Sequence, residues 1–300
     1  MRQDKRIHVL RVPFGLGAGR PGTERGPEAI WKSGLDQMME EIGLDWTMTE
    51  LTVPASRAET ERESPLRHLA EVEACASALA AETAAIAGRG DFPLIVGGDH
   101  SISIGTLAGL ARSGRKLGLI WFDAHGDLNT ESTSPSGNIH GMALAVHLGQ
   151  GAARLTGIAG FQPKVTAERT VIVGARSLDA GEKAYIRSAG IACYTMHDID
   201  RLGMARVMDE AIRIAGNGTD GVHVSFDIDC VDPLEAPGTG TPVRGGLTYR
   251  EAHLALELLR ASGLVASAEF VEVNPALDSS RRTARLAAEL IASLLGKTIL

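Results

Sequence analysis

The segment Asp123-Ala-His125-Gly-Asp127 places three potential metal ligands at alternate positions. It follows the apolar run Leu119-Ile-Trp-Phe122, which reads as a strand buried on both faces and ending where the ligands begin. Side chains two apart on an extended segment point the same way, so Asp123 and His125 can converge on one point, with Asp127 following as the chain turns. Carboxylate and imidazole together suit a divalent cation, and a cation that lowers the pKa of bound water opens hydrolytic chemistry.

Other apolar runs stop in the same way. His100 follows Val96-Gly-Gly-Asp99, Asp227 and Asp229 close Val222-His-Val-Ser-Phe-Asp-Ile-Asp229, and Glu272 opens Glu-Val-Asn-Pro275. In open parallel sheets ligands bind beyond the carboxyl ends of the strands, which would gather these residues at one edge. Two histidines and four aspartates are more carboxylate than an apolar interior tolerates unpaired, so cations are expected there. Six ligands with carboxylates in the majority suit two divalent ions bridged by shared aspartates, manganese rather than zinc. Four aspartates would cancel the charge of two such ions, so a bridging hydroxide would leave the cluster slightly anionic and welcome a cationic substrate.

The elements that must carry these residues alternate in type. Strands are expected over 7–14, 45–53, 92–97, 117–123, 171–176, 222–229 and 267–273, with helices over 27–42, 66–88, 102–111, 181–189, 204–215, 249–262 and 283–295. Such alternation implies right-handed crossovers and an α/β fold: three layers, α/β/α, around a mostly parallel central sheet, with residues 1–300 as one domain. Residues 55–65 read as an exposed loop. Gly17, Gly19 and Gly22 form a G-x-G-x-x-G, but Pro21 and Gly26-Pro27 postpone the following helix, which argues against a dinucleotide cradle.

The composition, 44% hydrophobic and 22% charged over 300 residues, supports a large core. A net charge of -7 argues against nucleic-acid or anionic-membrane partners. Three widely spaced cysteines, Cys75, Cys193 and Cys230, suggest neither a disulfide framework nor a zinc knuckle, and fit a reducing cytoplasm. No signal peptide is evident, and no stretch approaches the roughly 18 to 20 apolar residues of a membrane span. His8, His68, His147, His197, His223 and His253 lack motif context and read as surface or satisfied core residues. Asp99 reads as a capping or supporting carboxylate, Asp198 and Asp200 as a solvated turn or subunit contact, and Asp232-Pro233 as structural.

Gly97-Gly-Asp-His-Ser101, Asp123-Ala-His-Gly-Asp127, Ser225-Phe-Asp-Ile-Asp229 and Glu272-Val-Asn-Pro275 resemble, in order and spacing, the signatures of the ureohydrolases, binuclear manganese enzymes that hydrolyse guanidinium groups to urea. Asn129 and Ser134-Pro-Ser-Gly-Asn-Ile-His-Gly141 look like the arginase segment that holds an α-carboxylate, which agmatinases lack. Gly238-Thr-Gly-Thr-Pro242, Gly245-Gly-Leu-Thr-Tyr-Arg-Glu251 and Tyr194-Thr-Met-His-Asp-Ile-Asp-Arg-Leu-Gly203 are further arginase-like pieces, so the resemblance spans nearly the whole chain.

The resemblance implies two manganese ions. His100, Asp123, Asp127 and Asp227 would ligate one; Asp123, His125, Asp227 and Asp229 would ligate the other. Glu272 would hold the guanidinium with Thr241 nearby, His140 would shuttle a proton or act as general acid, and Asp127 would relay one. Asn129, Ser134, Ser136 and Asn138 would line the α-carboxylate site, and Asp179 would face the α-amino group. The implied reaction converts L-arginine and water to L-ornithine and urea by attack of a metal-bridging hydroxide on the guanidinium carbon. A homo-oligomer, trimer or hexamer, is also implied, with the carboxyl-terminal helix as a contact. Alternatives are hydrolysis of another guanidino compound, such as agmatine or guanidinobutyrate, and an inactive metal-bearing structural or sensor protein. Two positions depart from the family pattern: Cys230 follows Asp229 where glycine is common, and Ser177 stands where some arginases carry an aspartate.

Overall fold

A computed structural model of the chain describes residues 5–55 and 65–298. Most of the segment expected as an exposed loop, residues 56–64, therefore lies outside the described residues. The strands are β1 (Ile7–Val12), β2 (Trp46–Glu50), β3 (Phe92–Gly97), β4 (Leu117–Phe122), β5 (Thr170–Ala175), β6 (Ala192–Thr195), β7 (Gly221–Asp227) and β8 (Val265–Val271). They form one sheet in the order β2-β1-β3-β8-β7-β4-β5-β6, with every neighbouring pair parallel. Every residue of β3, β4, β5 and β7 is buried, which is why their sequences run apolar without alternation.

The helices are α1 (Gly26–Ile30), α2 (Asp36–Glu41), α3 (Leu69–Gly88), α4 (Ser103–Arg112), α5 (Ala143–His147), α6 (Ala153–Thr156), α7 (Ala180–Ala189), α8 (Met196–Leu202), α9 (Met204–Gly216), α10 (Tyr249–Ser262) and α11 (Arg282–Leu295). One apolar core joins one face of the sheet to α1, α2 and α8 to α11. A second core joins the other face to α3 through α7. The expected three layers are present, and the sheet is wholly parallel. No helix among the described residues is long and apolar enough to cross a membrane.

Two local expectations are corrected. The helix expected over 27–42 is interrupted: Gly34 adopts φ 91°, and a wider turn over Trp31–Leu35 separates α1 from α2. Asp198 and Asp200 lie not in a solvated turn but in α8, where the side chains of Thr195 and Asp198 each accept a backbone N–H from the other's position. That reciprocal cap starts a helix in a segment with too few apolar residues to show a period. Within the chain α11 is buried along most of its length, with Arg282 and Arg285 exposed.

The strand order matters most for function. β7 and β8, made late, insert between β3 and β4, made early. The carboxyl ends of β3, β8, β7 and β4 are thus neighbours, and each leads directly into one of the ligand-bearing segments.

Candidate active site

His100 begins a short 3-10 turn after β3, and Asp99 caps that turn by accepting the Ser101 N–H at 2.9 Å. Asp99 also accepts the Gly17 N–H at 2.8 Å, so the glycine-rich loop supports this turn. No helix opens within that loop, in keeping with the reading of G-x-G-x-x-G as a false match. Asp123, His125 and Asp127 follow β4, Asp227 ends β7, and Asp229 sits in the next turn.

His100 Nδ1 lies 3.1 Å from Asp123 Oδ2, 3.1 Å from Asp127 Oδ2 and 3.2 Å from Asp227 Oδ2. None of the three is aligned as a hydrogen-bond partner, so this buried nitrogen has none. Nearby, His125 Nδ1 is 3.3 Å from Asp123 Oδ1 and 3.1 Å from Asp229 Oδ2. Two ligand groups result, His100 with Asp123 and Asp227, and Asp123 with His125 and Asp229, sharing Asp123.

The electrostatics fit cations. Burial pushes Asp127 up to about 7, with the charge of Asp123 adding to the effect. Burial, then repulsion from Asp229 and Asp123, raises Asp227 well above the carboxylate range, and burial and Asp123 raise Asp229. Burial acts on Asp123 in the same sense, but the close His100 and His125 imidazoles outweigh it and hold this one acid down. The protein alone must therefore bind protons that divalent cations would replace. An orphaned imidazole nitrogen amid three carboxylates is the donor set of such an ion.

Beside this cluster opens a cleft lined by His125, Asp127, Asn129, Ser134, Ser136, Asn138, His140, Asp179, Asp227, Asp229 and Thr241. Glu272, His100 and Asp123 lie behind it, almost wholly buried. Glu272 Oε1 accepts the His100 N–H at 2.9 Å and lies 3.0 Å from His140 Nδ1, whereas Oε2 is buried without a partner. Burial lowers the His140 pKa, but the Glu272 hydrogen bond overcomes this and lifts it to about 9. Asp127 and Glu272 hold φ of 50° and 65°, a left-handed backbone that a non-glycine residue adopts at some energetic cost and that here aims both carboxylates inward.

Further out, Asn129 Nδ2 donates to Asp179 Oδ2 at 2.9 Å. Ser134 Oγ accepts the Gly137 N–H at 3.0 Å and Ser136 Oγ the Asn138 N–H at 3.2 Å, which leaves each hydroxyl proton to be donated elsewhere. Thr241, expected near Glu272, donates its hydroxyl to Asp229 Oδ2 at 3.1 Å. The glycine loop closes over this end: Gly17 O accepts the His140 N–H at 3.1 Å, and a Cβ on Gly19 would come within 2.8 Å of Asn138 Nδ2.

The sequence reading omitted several supporting residues. Trp121 stacks on His100, ring centroids 4.0 Å apart, and donates its indole N–H to Asp123 Oδ2 at 3.0 Å. Glu182 accepts the Leu128 N–H at 3.1 Å and the Asp179 N–H at 2.7 Å beneath the cleft. The Arg176 guanidinium donates to the carbonyls of Asp229, Cys230 and Val243, tying the loop after β7 to the loop after β5. Cys230 fills a fully buried position in the core under that loop. Trp121 read only as core, and Glu182 and Arg176 fell within helix and strand patterns.

Two carboxylate-rich ligand groups sharing Asp123, at the carboxyl edge of a parallel α/β sheet, thus define the class of site: one suited to a pair of metal ions. A sequence model described as the arginase family matches residues 5–296. The arginase of Bacillus caldovelox is 51% identical over 300 residues, covering 99% of this chain and 100% of that protein. A native crystal structure of the Bacillus caldovelox arginase superposes with a TM-score of 0.95 at 49% identity, over 99% of this chain and 100% of that one. Entamoeba histolytica arginase, solved in complex with L-ornithine, gives a TM-score of 0.90 at 34% identity, with 99% and 100% coverage. The chain belongs to the arginase family.

Proposed function

We propose that this chain is an arginase, hydrolysing L-arginine to L-ornithine and urea with two manganese ions. The observation that carries the reading is Glu272 Oε2, a buried carboxylate oxygen without a partner, beside the doubled metal-ligand cluster. A guanidinium keeps its proton at physiological pH and offers planar N–H donors that would satisfy that oxygen. The relatives named arginase, and the L-ornithine complex of one of them, agree with this substrate.

Held by His100, Asp123, Asp127 and Asp227 on one side and Asp123, His125, Asp227 and Asp229 on the other, a pair of manganese ions would supply a hydroxide nucleophile at neutral pH. Glu272 holds the planar cation at attack distance. Asp127 takes the nucleophile's proton, and His140, kept protonated by Glu272, delivers one to the departing ornithine nitrogen. Ser134, Ser136, Asn138 and Asn129 receive the α-carboxylate, and Asp179 the α-ammonium. The free hydroxyl protons of Ser134 and Ser136 favour arginine over agmatine, which has no carboxylate to accept them. We read residues 1–300 as one domain, since every strand among the described residues joins one sheet. The three cysteines, none in a disulfide, suit the cytoplasm, and a homo-oligomer, trimer or hexamer, is expected from the family.

Urea release from arginine, agmatine and guanidinobutyrate by the manganese-loaded protein tests the reading. Arginine should be preferred by about tenfold or more, because agmatine forgoes the hydrogen bonds to the α-carboxylate and guanidinobutyrate those to the α-ammonium. Equal rates without the α-carboxylate would refute it.

A further inference from the structure

Beneath the ligand cluster lies a vein of buried polar side chains that the reaction above does not use. Ser225 and His223 on β7 stand opposite Glu269 and Ser267 on β8 in the parallel register. Ser225 Oγ donates to Glu269 Oε1 at 2.8 Å, and His100 Nε2 lies 2.9 Å from the same Ser225 Oγ. Glu269 is fully buried at the middle of the sheet, and its Oε2 has no hydrogen-bond partner. An acid so placed weakens the fold unless it does something else.

We propose that Glu269 is a positioning residue for the metal centre, acting through Ser225 to set the tautomer of His100. This rests on the two-ion reading above. A carboxylate only accepts hydrogen bonds, so the Ser225 hydroxyl is committed as a donor to Glu269 and its oxygen is left to accept. The group it accepts from is the His100 Nε2–H. With its proton on Nε2, His100 presents a lone pair on Nδ1, the atom surrounded by Asp123, Asp127 and Asp227. The other tautomer would point an N–H at the cation and exclude it. Stacking against Trp121, with only 7° between the ring planes, restrains the imidazole's tilt, so the hydrogen bond decides which nitrogen is protonated. His223 flanks the relay: its Nδ1 is 2.8 Å from Ser267 Oγ and its Nε2 is 3.4 Å from Glu269 Oε1.

The test is calorimetric titration of the metal-stripped full chain with manganese, for wild type, Glu269→Gln, Ser225→Ala and the double variant. Wild type should bind two ions. Each single variant should weaken one binding step by about ten- to a hundredfold and leave the other unchanged. If Glu269 acts through Ser225, the double variant should bind no more weakly than Ser225→Ala alone. Wild-type isotherms in both single variants, equal weakening of both steps, or additive losses would each overturn the relay. Should Glu269→Gln fail to fold, Ser225→Ala, which removes one hydroxyl, decides: unaltered binding refutes the proposal. A wild-type chain that takes up no manganese overturns the metal reading together with the relay, whereas two ions in wild type with unaltered variants overturns the relay alone.

Discussion

His140 Nδ1 and Glu272 Oε1 lie 3.0 Å apart, which joins the turn after the cleft's serine-rich segment to the residue that follows β8. In the proposed reaction the pair would couple proton delivery to substrate binding, because the carboxylate proposed to hold the guanidinium also keeps the imidazole charged.

Replacing Glu272 by Gln should remove the main cause of the raised His140 pKa and leave burial, which pushes it down. In the metal-free protein His140 should titrate near 9, and clearly lower in the variant, as read by NMR of the ring protons. A folded-state pKa raised above the unfolded one adds stability that is complete below about pH 6.5 and is lost as pH rises through 9. The metal-free wild type should therefore lose more Tm than the variant between pH 7 and 9.5. A His140 value still near 9 in the variant would assign the shift to Asp127 and Asp99.

The same Glu272→Gln variant should keep both manganese ions yet lose activity by about a hundredfold or more, the usual cost of one charged contact to the reacting group. Metal analysis and urea release on one sample check both halves. An unaffected rate would place the guanidinium elsewhere.

Asp229→Ala removes a ligand of the group formed by Asp123 and His125, and also the acceptor of Thr241. The variant should retain one manganese per chain. Two retained ions would contradict the ligand assignment.

Chelation should invert the pH dependence of stability. Without cations, Asp127 holds a proton up to about pH 7, far above its unfolded value near 3.8, so its contribution is complete below about 4 and is lost as pH rises through 7. The chelated protein should melt higher at pH 5.5 than at pH 8. The manganese-loaded protein should do the reverse, since ligands bind metal only when deprotonated. Parallel pH profiles for the two forms would show that the cluster holds no metal.

Gly19→Ala brings a methyl group within 2.8 Å of Asn138 Nδ2, so that side chain must turn away from the cleft. KM for arginine should rise about tenfold with manganese content unchanged, roughly the value of one hydrogen bond. An unchanged KM would remove Asn138 from the substrate site.

The residues of the two candidate ligand groups were legible in the sequence because each stands where an apolar strand ends, and a buried parallel strand announces itself as an unbroken apolar run. Asp123 and His125 needed only that rule and the alternation of side chains along an extended chain, whereas Asp229 follows β7 in a short 3-10 turn. The supporting residues were hidden for the same reason. Trp121 and Ser225 are inward positions of such strands, and Glu269 is one acid in an otherwise apolar run; what each touches depends on the register between strands far apart in sequence. α8 escaped notice because its start is set by a hydrogen-bonded cap and not by periodicity. The break at Gly34 could have been read from the glycine, whose φ of 91° no helix interior allows.

The late insertion of β7 and β8 also bears on biosynthesis. Until residues 221–271 emerge from the ribosome, the strands already made belong to two separate groups, β2-β1-β3 and β4-β5-β6, each with an open inner edge. His100 then sits on one group and Asp123 on the other, with Asp227, Asp229 and Glu272 not yet made. A nascent or truncated chain cannot assemble the cluster from its early segments, so the two proposed ligand groups are complete only once synthesis has passed Asp229.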